Sequence, residues 1–389
     1  MNLKAMEICG TPLDYDLGLL EVLESTSGPL CSLLRSLTRP APRLYIRVNT
    51  LKIDPEEYRE LLKSSGYGFE RDEELNEALW TPVEGPFRIT VYDKKVVADK
   101  VASESVLMGS DLYLPGVLEA SGIKEGDLVT VYSPNGVPVG SGVAVRSWKE
   151  SLKKDKGLFI KITEPVYRAP RVSELPGYGE LCYGQSVTSM YVAKMLNPKP
   201  GEIIVDFNAA PGGKIGHVAQ LVGPKATIIG IDRPNKIDKL RRVLETLGAN
   251  WVRTLGGDSR RASELLGELS GKVDAVLIDP PCTDIGVIPK VYDRKTLKEA
   301  VAIARYQVQF VREAHRVLRK GGRLVYSTCT LTDVENEAVV EYALSLGFEL
   351  EEPEFRPRVR GRDTGYGFRF APHVDFTPGF FVSLLLIKK

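Results

Sequence analysis

The sequence predicts an α/β protein built on a doubly wound, mostly parallel sheet, preceded by an α+β region and a small β-barrel. Three observations carry this expectation. From Glu202 onward, apolar strands near 202–207, 227–232, 251–255, 273–279 and 322–327 alternate with helical stretches, the rhythm of parallel strands joined by crossover helices. The first strand runs into Asn208-Ala209-Ala210-Pro211-Gly212-Gly213-Lys214, a turn whose adjacent glycines let bare backbone N–H groups approach a ligand beside a helix N-terminus. The second strand ends in Asp232. That acid lies about 20 residues further on, the spacing at which a carboxylate reaches a nucleoside ribose in doubly wound folds.

Taken in order, residues 1–90 read as α+β. Leu19 to Leu37 has apolar residues at helical spacing, and Arg43 to Thr50 alternates as a strand carrying Arg43 and Arg47 on a solvated face. Pro55 opens a helix through Ser64. Residues 91–166 change character: Arg88 to Tyr92, Lys95 to Ala98, Leu128 to Tyr132 and Gly142 to Val145 are short β-type runs divided by glycine turns, which predicts a small barrel. Lys149, Lys153, Lys154 and Lys156 form a basic run at its edge, read as a solvated loop. Residues 167–200 hold a connecting segment and a helix capped by Gly184-Gln185-Ser186 that ends near Leu196. Residues 201–389 form the doubly wound domain, with two further strands at Phe348 to Glu351 and Phe380 to Ile387.

At 389 residues the chain suggests two or three domains. Its 43% hydrophobic and 26% charged residues are ordinary for a globular protein. With a net charge of only +1, any nucleic-acid surface must come from local segregation of charge. The five cysteines (9, 31, 182, 282 and 329) and three scattered histidines show no metal-ligand spacing. An odd cysteine count without a signal peptide points to a reducing cytoplasm. No apolar run approaches the ~20 residues of a membrane span. A dehydrogenase is disfavoured, because the turn reads Ala-Pro-Gly-Gly rather than Gly-x-Gly-x-x-Gly.

Two further strand ends sharpen the expectation. Val273 to Asp279 runs into Pro280-Pro281-Cys282, and Gly322 to Ser327 runs into Thr328-Cys329-Thr330. Together with Ala209 to Lys214, these segments make residues 183–389 resemble the Sun-type RNA cytosine-5 methyltransferases. That family's signatures are AAPGGK, DPPC and STCT, in this order. The chain departs from the family at Phe207-Asn208, where Leu-Cys or Met-Cys is usual; that cysteine is not catalytic. Arg47 to Lys52 (RVNTLK) resembles the family's flanking region, which helps to grip RNA. Val97 to Ala102, Val106 to Val117, Gly126 to Val129 and Val139 to Gly142 resemble a PUA domain, a module that binds structured RNA, often near a tRNA 3′ end.

Ligands in doubly wound sheets bind outside the carboxyl ends of the strands. The glycine turn, Asp232, Asp258, Asp279, Cys282 and Cys329 all lie just past strand ends and should converge on one crevice. Neighbouring strands sit ~5 Å apart, which would bring the two thiols together. The chemistry explains why thiols are needed. Carbon 5 of cytosine is a poor nucleophile until a thiolate adds to carbon 6, and a thiolate both attacks and leaves readily.

The resemblance implies S-adenosyl-L-methionine as cofactor, Cys329 as nucleophile and Cys282 as the thiol that assists product release. It places Asp279 and Lys214 beside the reacting base. Asn208 to Gly213 should line the cofactor, with Asp232 and Lys236 near its ribose and Asp258 near its adenine. It further implies methylation of tRNA at cytidine 72, the activity of the branch that carries a PUA module. Ribosomal RNA is the alternative substrate, and an inactive RNA-binding protein on this fold is the reading from another class. The expected protein is a cytoplasmic monomer with tRNA as partner and no DNA or membrane partner. Two segments stay apart from this set. Thr332 to Glu335 has the spacing of a helix capping box. Arg356, Arg358, Arg360, Arg362 and Arg369 interleave with Phe355, Tyr366, Phe368 and Phe370, suiting either phosphate contact with base stacking or a loop of solvated arginines. Cys9, Cys31 and Cys182 match no motif and read as structural.

Overall fold

The computed structural model describes residues 8–149, 155–358 and 360–388. Its largest sheet has nine strands, numbered here from the first of them: β1 (Ile203–Asp206), β2 (Thr227–Asp232), β3 (Arg253–Gly256), β4 (Val273–Ile278), β5 (Leu318–Thr328), β6 (Phe348–Leu350), β7 (Arg362–Asp363), β8 (Phe368–Phe370) and β9 (Phe380–Ile387). The order is β3-β2-β1-β4-β5-β9-β8-β7, with β6 also paired to β9. Strands β1 to β5 are parallel and β9 runs antiparallel to β5, from Arg323 opposite Leu386 to Thr328 opposite Phe381. Strands β1, β2 and β4 are apolar along most of their length, as strands covered on both faces are. Strand order reverses between β1 and β4, which sets the ligand crevice of such a sheet at their carboxyl ends.

The five parallel strands lie within a few residues of their expected positions. The β7–β8 hairpin was not expected: Phe368 and Phe370 are buried against the sheet rather than displayed to solvent. Leu19 to Leu37 is two helices, Leu17–Ser27 and Leu30–Leu37. The break falls at Gly28, with φ at +89°, followed by Pro29, which has no N–H for the helical ladder. Cys9 and Cys31, which the odd cysteine count gave no reason to pair, are joined in a disulfide. Arg43–Val48 lies inside a four-stranded sheet between Cys182–Gly184 and Ala78–Pro82.

Residues 95–165 form a six-stranded sheet around their own core of Val96, Val106, Val129, Val131 and Phe159. Arg88 to Tyr92 is not a strand. It follows the sheet through side chains, Thr90 N–H donating to Glu164 and Tyr92 N–H to Thr130. Lys149 and Lys156 are exposed, and Lys153 and Lys154 lie outside the described residues.

The three parts meet at Asp293. Its buried carboxylate accepts from Tyr15 Oη (3.1 Å) and Lys100 Nζ (2.9 Å) and pairs with Lys290 Nζ (3.3 Å). The N-terminal helices also pack Leu19, Leu23, Leu33 and Leu34 against Ile285 and Leu331, directly behind the two cysteine-bearing loops. Among the described residues, no helix is long and apolar enough to cross a membrane.

Candidate active site

The carboxyl ends of β1, β2, β4 and β5 open on a cleft of about 450 Å³, a size that holds a nucleoside-like molecule. Asn208, Ala210, Asp232, Lys236, Asp258, Asp279, Cys282 and Cys329 all line it. Ala209, Pro211, Gly213 and Lys214 face a smaller adjoining cleft of about 280 Å³, which Asn208, Ala210 and Asp279 also border. Gly212 borders neither. Its φ of +122° and the 2.9 Å from an ideal Cβ to Val243 Cγ1 show why glycine stands there: any side chain would strain the turn that opens helix Gly213–Val222.

Asp232 is buried at the end of β2. Its carboxylate accepts from the backbone N–H of Ala210 (2.9 Å) and Arg233 (2.7 Å), and Lys236 Nζ lies 3.5 Å away. Asp258 is held by Arg260, whose side chain and backbone N–H both donate to it, and this pairing keeps its carboxyl below the usual range. Asn208 Oδ1 is buried without a partner. Lys214 Nζ meets Asp279 Oδ2 at 2.6 Å, while Ser327 Oγ donates to Asp279 Oδ1 at 2.9 Å. Burial pulls the Lys214 ammonium down, but Asp279 outweighs it and the net shift is upward.

Sequence reasoning passed over Asp206. It ends β1, is fully buried, and its Oδ2 has no hydrogen-bond partner. Burial raises its pKa from the ordinary 3.8 to about 7, with Asp279 adding to the effect. An acid whose folded pKa is raised destabilises the fold once it must ionise, so its cost is absent below its unfolded pKa and complete above about pH 7. Asp206→Asn should therefore stabilise the ligand-free protein by roughly 2–4 kcal/mol at pH 8 and by nothing near pH 3.5. Melting both proteins across that range checks it. A difference that does not change with pH would mean that the carboxyl stays neutral throughout.

The two thiols meet where β4 and β5 end. Cys282 Sγ lies 3.2 Å from Cys329 Sγ, and both donate to Asp284 Oδ1, at 3.2 and 3.0 Å. The hydrogen bond to Cys329, then burial, push the Cys282 thiol well above its usual range. Behind them, the loops touch backbone to backbone. Gly286 N–H donates to Cys329 O (2.9 Å) and Gly379 N–H to Gly286 O (2.8 Å), and a Cβ on Gly286 would sit 2.2 Å from Gly379 O.

Glu335 is not a cap. The helix starts at Glu337 after Asn336, and the buried Glu335 carboxylate reaches back under both loops. It accepts from Thr283 N–H (2.8 Å), Thr283 Oγ1 (2.7 Å), Thr332 Oγ1 (2.7 Å) and Thr330 Oγ1 (3.3 Å). Spacing suggested the capping box, but Thr283, Thr330 and Thr332 supply the donors.

Several arginines also differ from expectation. Arg47 is not on a solvated face. It is 0% exposed and donates from Nη1 to Gln185 Oε1 and Gly213 O, so it braces the glycine turn from the flanking region. Arg360 is bound to Asp72, Tyr45 and Tyr191, and Arg369 to Glu337 and the Leu331 carbonyl; both are internal ties, unavailable to phosphate. Arg358 and Arg362 are exposed.

The nine-stranded sheet, with an antiparallel strand beside β5, and a crevice at the carboxyl ends define the S-adenosylmethionine-dependent methyltransferase fold. Residues 193–386 match a family model described as 16S rRNA methyltransferase RsmB/F, and residues 94–166 match the PUA domain. A tRNA (cytosine(72)-C(5))-methyltransferase of Pyrococcus horikoshii is 41% identical over 359 residues, which cover 91% of each chain. The human tRNA (cytosine(72)-C(5))-methyltransferase NSUN6 is 32% identical over 365 residues, covering 83% of this chain and 77% of the relative. The crystal structure of NSun6 from Pyrococcus horikoshii with SFG superimposes with a TM-score of 0.89 at 38% identity, covering 96% of this chain and 99% of that one. This chain belongs to the Sun (RsmB/F) family of cytosine-C5 methyltransferases and carries a PUA domain.

Proposed function

We propose that this protein methylates carbon 5 of cytidine 72 in tRNA, using S-adenosylmethionine and a covalent adduct between Cys329 and carbon 6. The observation that carries this reading is the pair of thiols, 3.2 Å apart at two strand ends, opening on the same cleft as the buried Asp232. The residues present fit the cofactor. Asp232 keeps acceptor capacity for ribose hydroxyls beyond its two backbone donors, and the partnerless Asn208 Oδ1, which borders the cleft, is a buried acceptor suited to a donor-bearing ligand. Asn208, Ala210, Asp232, Lys236 and Asp258 would hold it, and when bound it supplies an electrophilic sulfonium methyl. The rest of the glycine turn (Ala209, Pro211, Gly212 and Gly213) shapes that wall from behind.

The chain's own residues then act on the cytosine. Cys329 adds to carbon 6 and makes carbon 5 nucleophilic. Asp279, oriented by Lys214 and Ser327, is the hydrogen-bonding group for the base edge. After transfer the carbon-5 proton is lost, the carbon–sulfur bond breaks, and Cys282 assists release. tRNA as substrate is supported by the relatives' described activity and by the PUA domain, which is tied through Lys100 to the loop that follows Cys282.

The test is methylation of tRNA transcripts with S-adenosylmethionine, read by bisulfite sequencing. A single modified position at cytidine 72, lost when that nucleotide is replaced, is expected. Modification of a 16S ribosomal RNA fragment with none on tRNA would overturn the substrate reading in favour of ribosomal RNA.

A further inference from the structure

Thiol addition to carbon 6 needs somewhere for the thiol proton to go, and the residues that usually take it are absent. His217 is buried against Glu77, His315 packs on Phe348, and His373 lies beside Gly28. None of the three lies in the cleft. Asp279 is already occupied by Lys214 and Ser327, and Lys214 is held as an ammonium by Asp279. Besides the Cys282 thiol, which keeps its own proton, one group is in contact with the attacking sulfur. Asp284 Oδ1 lies 3.0 Å from Cys329 Sγ, and among the described residues no lysine or arginine side chain pairs with that carboxylate.

The backbone holds Asp284 in place. It sits at φ +57°, a left-handed conformation uncommon for residues other than glycine though tolerated by aspartate. Its carbonyl is fixed by Lys290 Nζ (2.9 Å) and Val287 N–H (3.1 Å), and two residues on, Gly286 N–H is bonded to Cys329 O. The carboxylate is thus set against both sulfurs while remaining open to the cleft. Neither its sequence position nor its neighbours' motifs singled it out.

We propose that Asp284 is a further catalytic residue, the proton acceptor for Cys329 during attack on the base. The inference rests on the reading of Cys329 as nucleophile. As the S–H bond breaks, its proton passes to Asp284 Oδ1 and its electron pair forms the bond to carbon 6. The carbon 5–carbon 6 π pair shifts toward carbon 4 and leaves its charge on the ring nitrogen N3, so that carbon 5 becomes nucleophilic. After methylation the carbon-5 proton departs to water and the carbon–sulfur bond breaks. Its pair returns to Cys329, which recovers its proton from Asp284.

A mere neighbouring charge would have the opposite effect, because a carboxylate disfavours a thiolate beside it. This contrast makes the test decisive. Methyl transfer to tRNA and iodoacetamide alkylation of Cys329, followed by peptide mass spectrometry, are measured on wild type, Asp284→Asn and Asp284→Gly; glycine keeps the left-handed backbone. Methyl transfer should fall about 100-fold, the scale of a lost general base, while alkylation, which reports thiolate population, is not slowed. Formate added to Asp284→Gly should restore part of the rate.

Either of two outcomes overturns the proposal. Methyl transfer within threefold of wild type, or faster, in both variants would make Asp284 a bystander. Parallel losses of methyl transfer and alkylation would show a misplaced thiol and a positioning role only. Failure of the underlying reading appears separately, as methyl transfer by Cys329→Ala.

Discussion

Cys329→Ala is expected to yield neither methylated RNA nor a covalent adduct, whereas Cys282→Ala should accumulate a protein–RNA species that survives denaturing electrophoresis when S-adenosylmethionine is present. The asymmetry follows from the site. The two sulfurs are 3.2 Å apart, and the Cys282 thiol is pushed well above its usual range by Cys329 and by burial. Two thiolates cannot share so small a space, and the upward shift makes Cys282 the thiol that keeps its proton. Removing Cys329 removes the attacking group, and carbon 5 is never activated. Removing Cys282 leaves attack and transfer possible but slows elimination from the methylated adduct. The double variant should behave as Cys329→Ala does, and thermal melts establish first that each variant is folded. Adduct trapped by Cys329→Ala and not by Cys282→Ala would exchange the two roles and place the nucleophile on β4.

The second large effect is expected at Glu335, nowhere in contact with the cleft. Glu335→Ala should cost about 3–5 kcal/mol in denaturant unfolding, because it strands one backbone N–H and three hydroxyls inside the protein. It should also lower methyl transfer. Thr283 follows Cys282 and Thr330 follows Cys329, so a single carboxylate sets the distance between the two thiols. Around it, Tyr326 Oη donates to Glu335 O and Gln307 Nε2 to Pro281 O, so the network spans both loops. Glu335→Gln keeps acceptor capacity and should lose less on both measures. An alanine variant that unfolds within 1 kcal/mol of wild type would show that water replaces the carboxylate at no cost.

Much of this molecule was legible in the chain because the relevant signals are local. Strand and helix alternation, the double glycine of the turn, Asp232 at the end of β2 and a cysteine after each of β4 and β5 are all written within a few residues of one another. Their convergence follows from sheet topology alone, since residues just past parallel strand ends must share one rim. What sequence could not give are pairings between distant segments. Glu335 has capping-box spacing, and only the packing of its helix against two threonine-bearing loops turned its carboxylate inward. Arg47, Arg360 and Arg369 look like surface cations until the acceptors that bind them (the Gly213 carbonyl, Asp72 and Glu337) are brought from 32 to 288 residues across the chain. The Cys9–Cys31 link and the desolvated Asp206, with one carboxylate oxygen unpartnered, belong to the same group. Burial and charge pairing are properties of the assembled interior. The local pattern determined which chemistry the chain carries, and the tertiary structure decided which charged groups are left free to perform it.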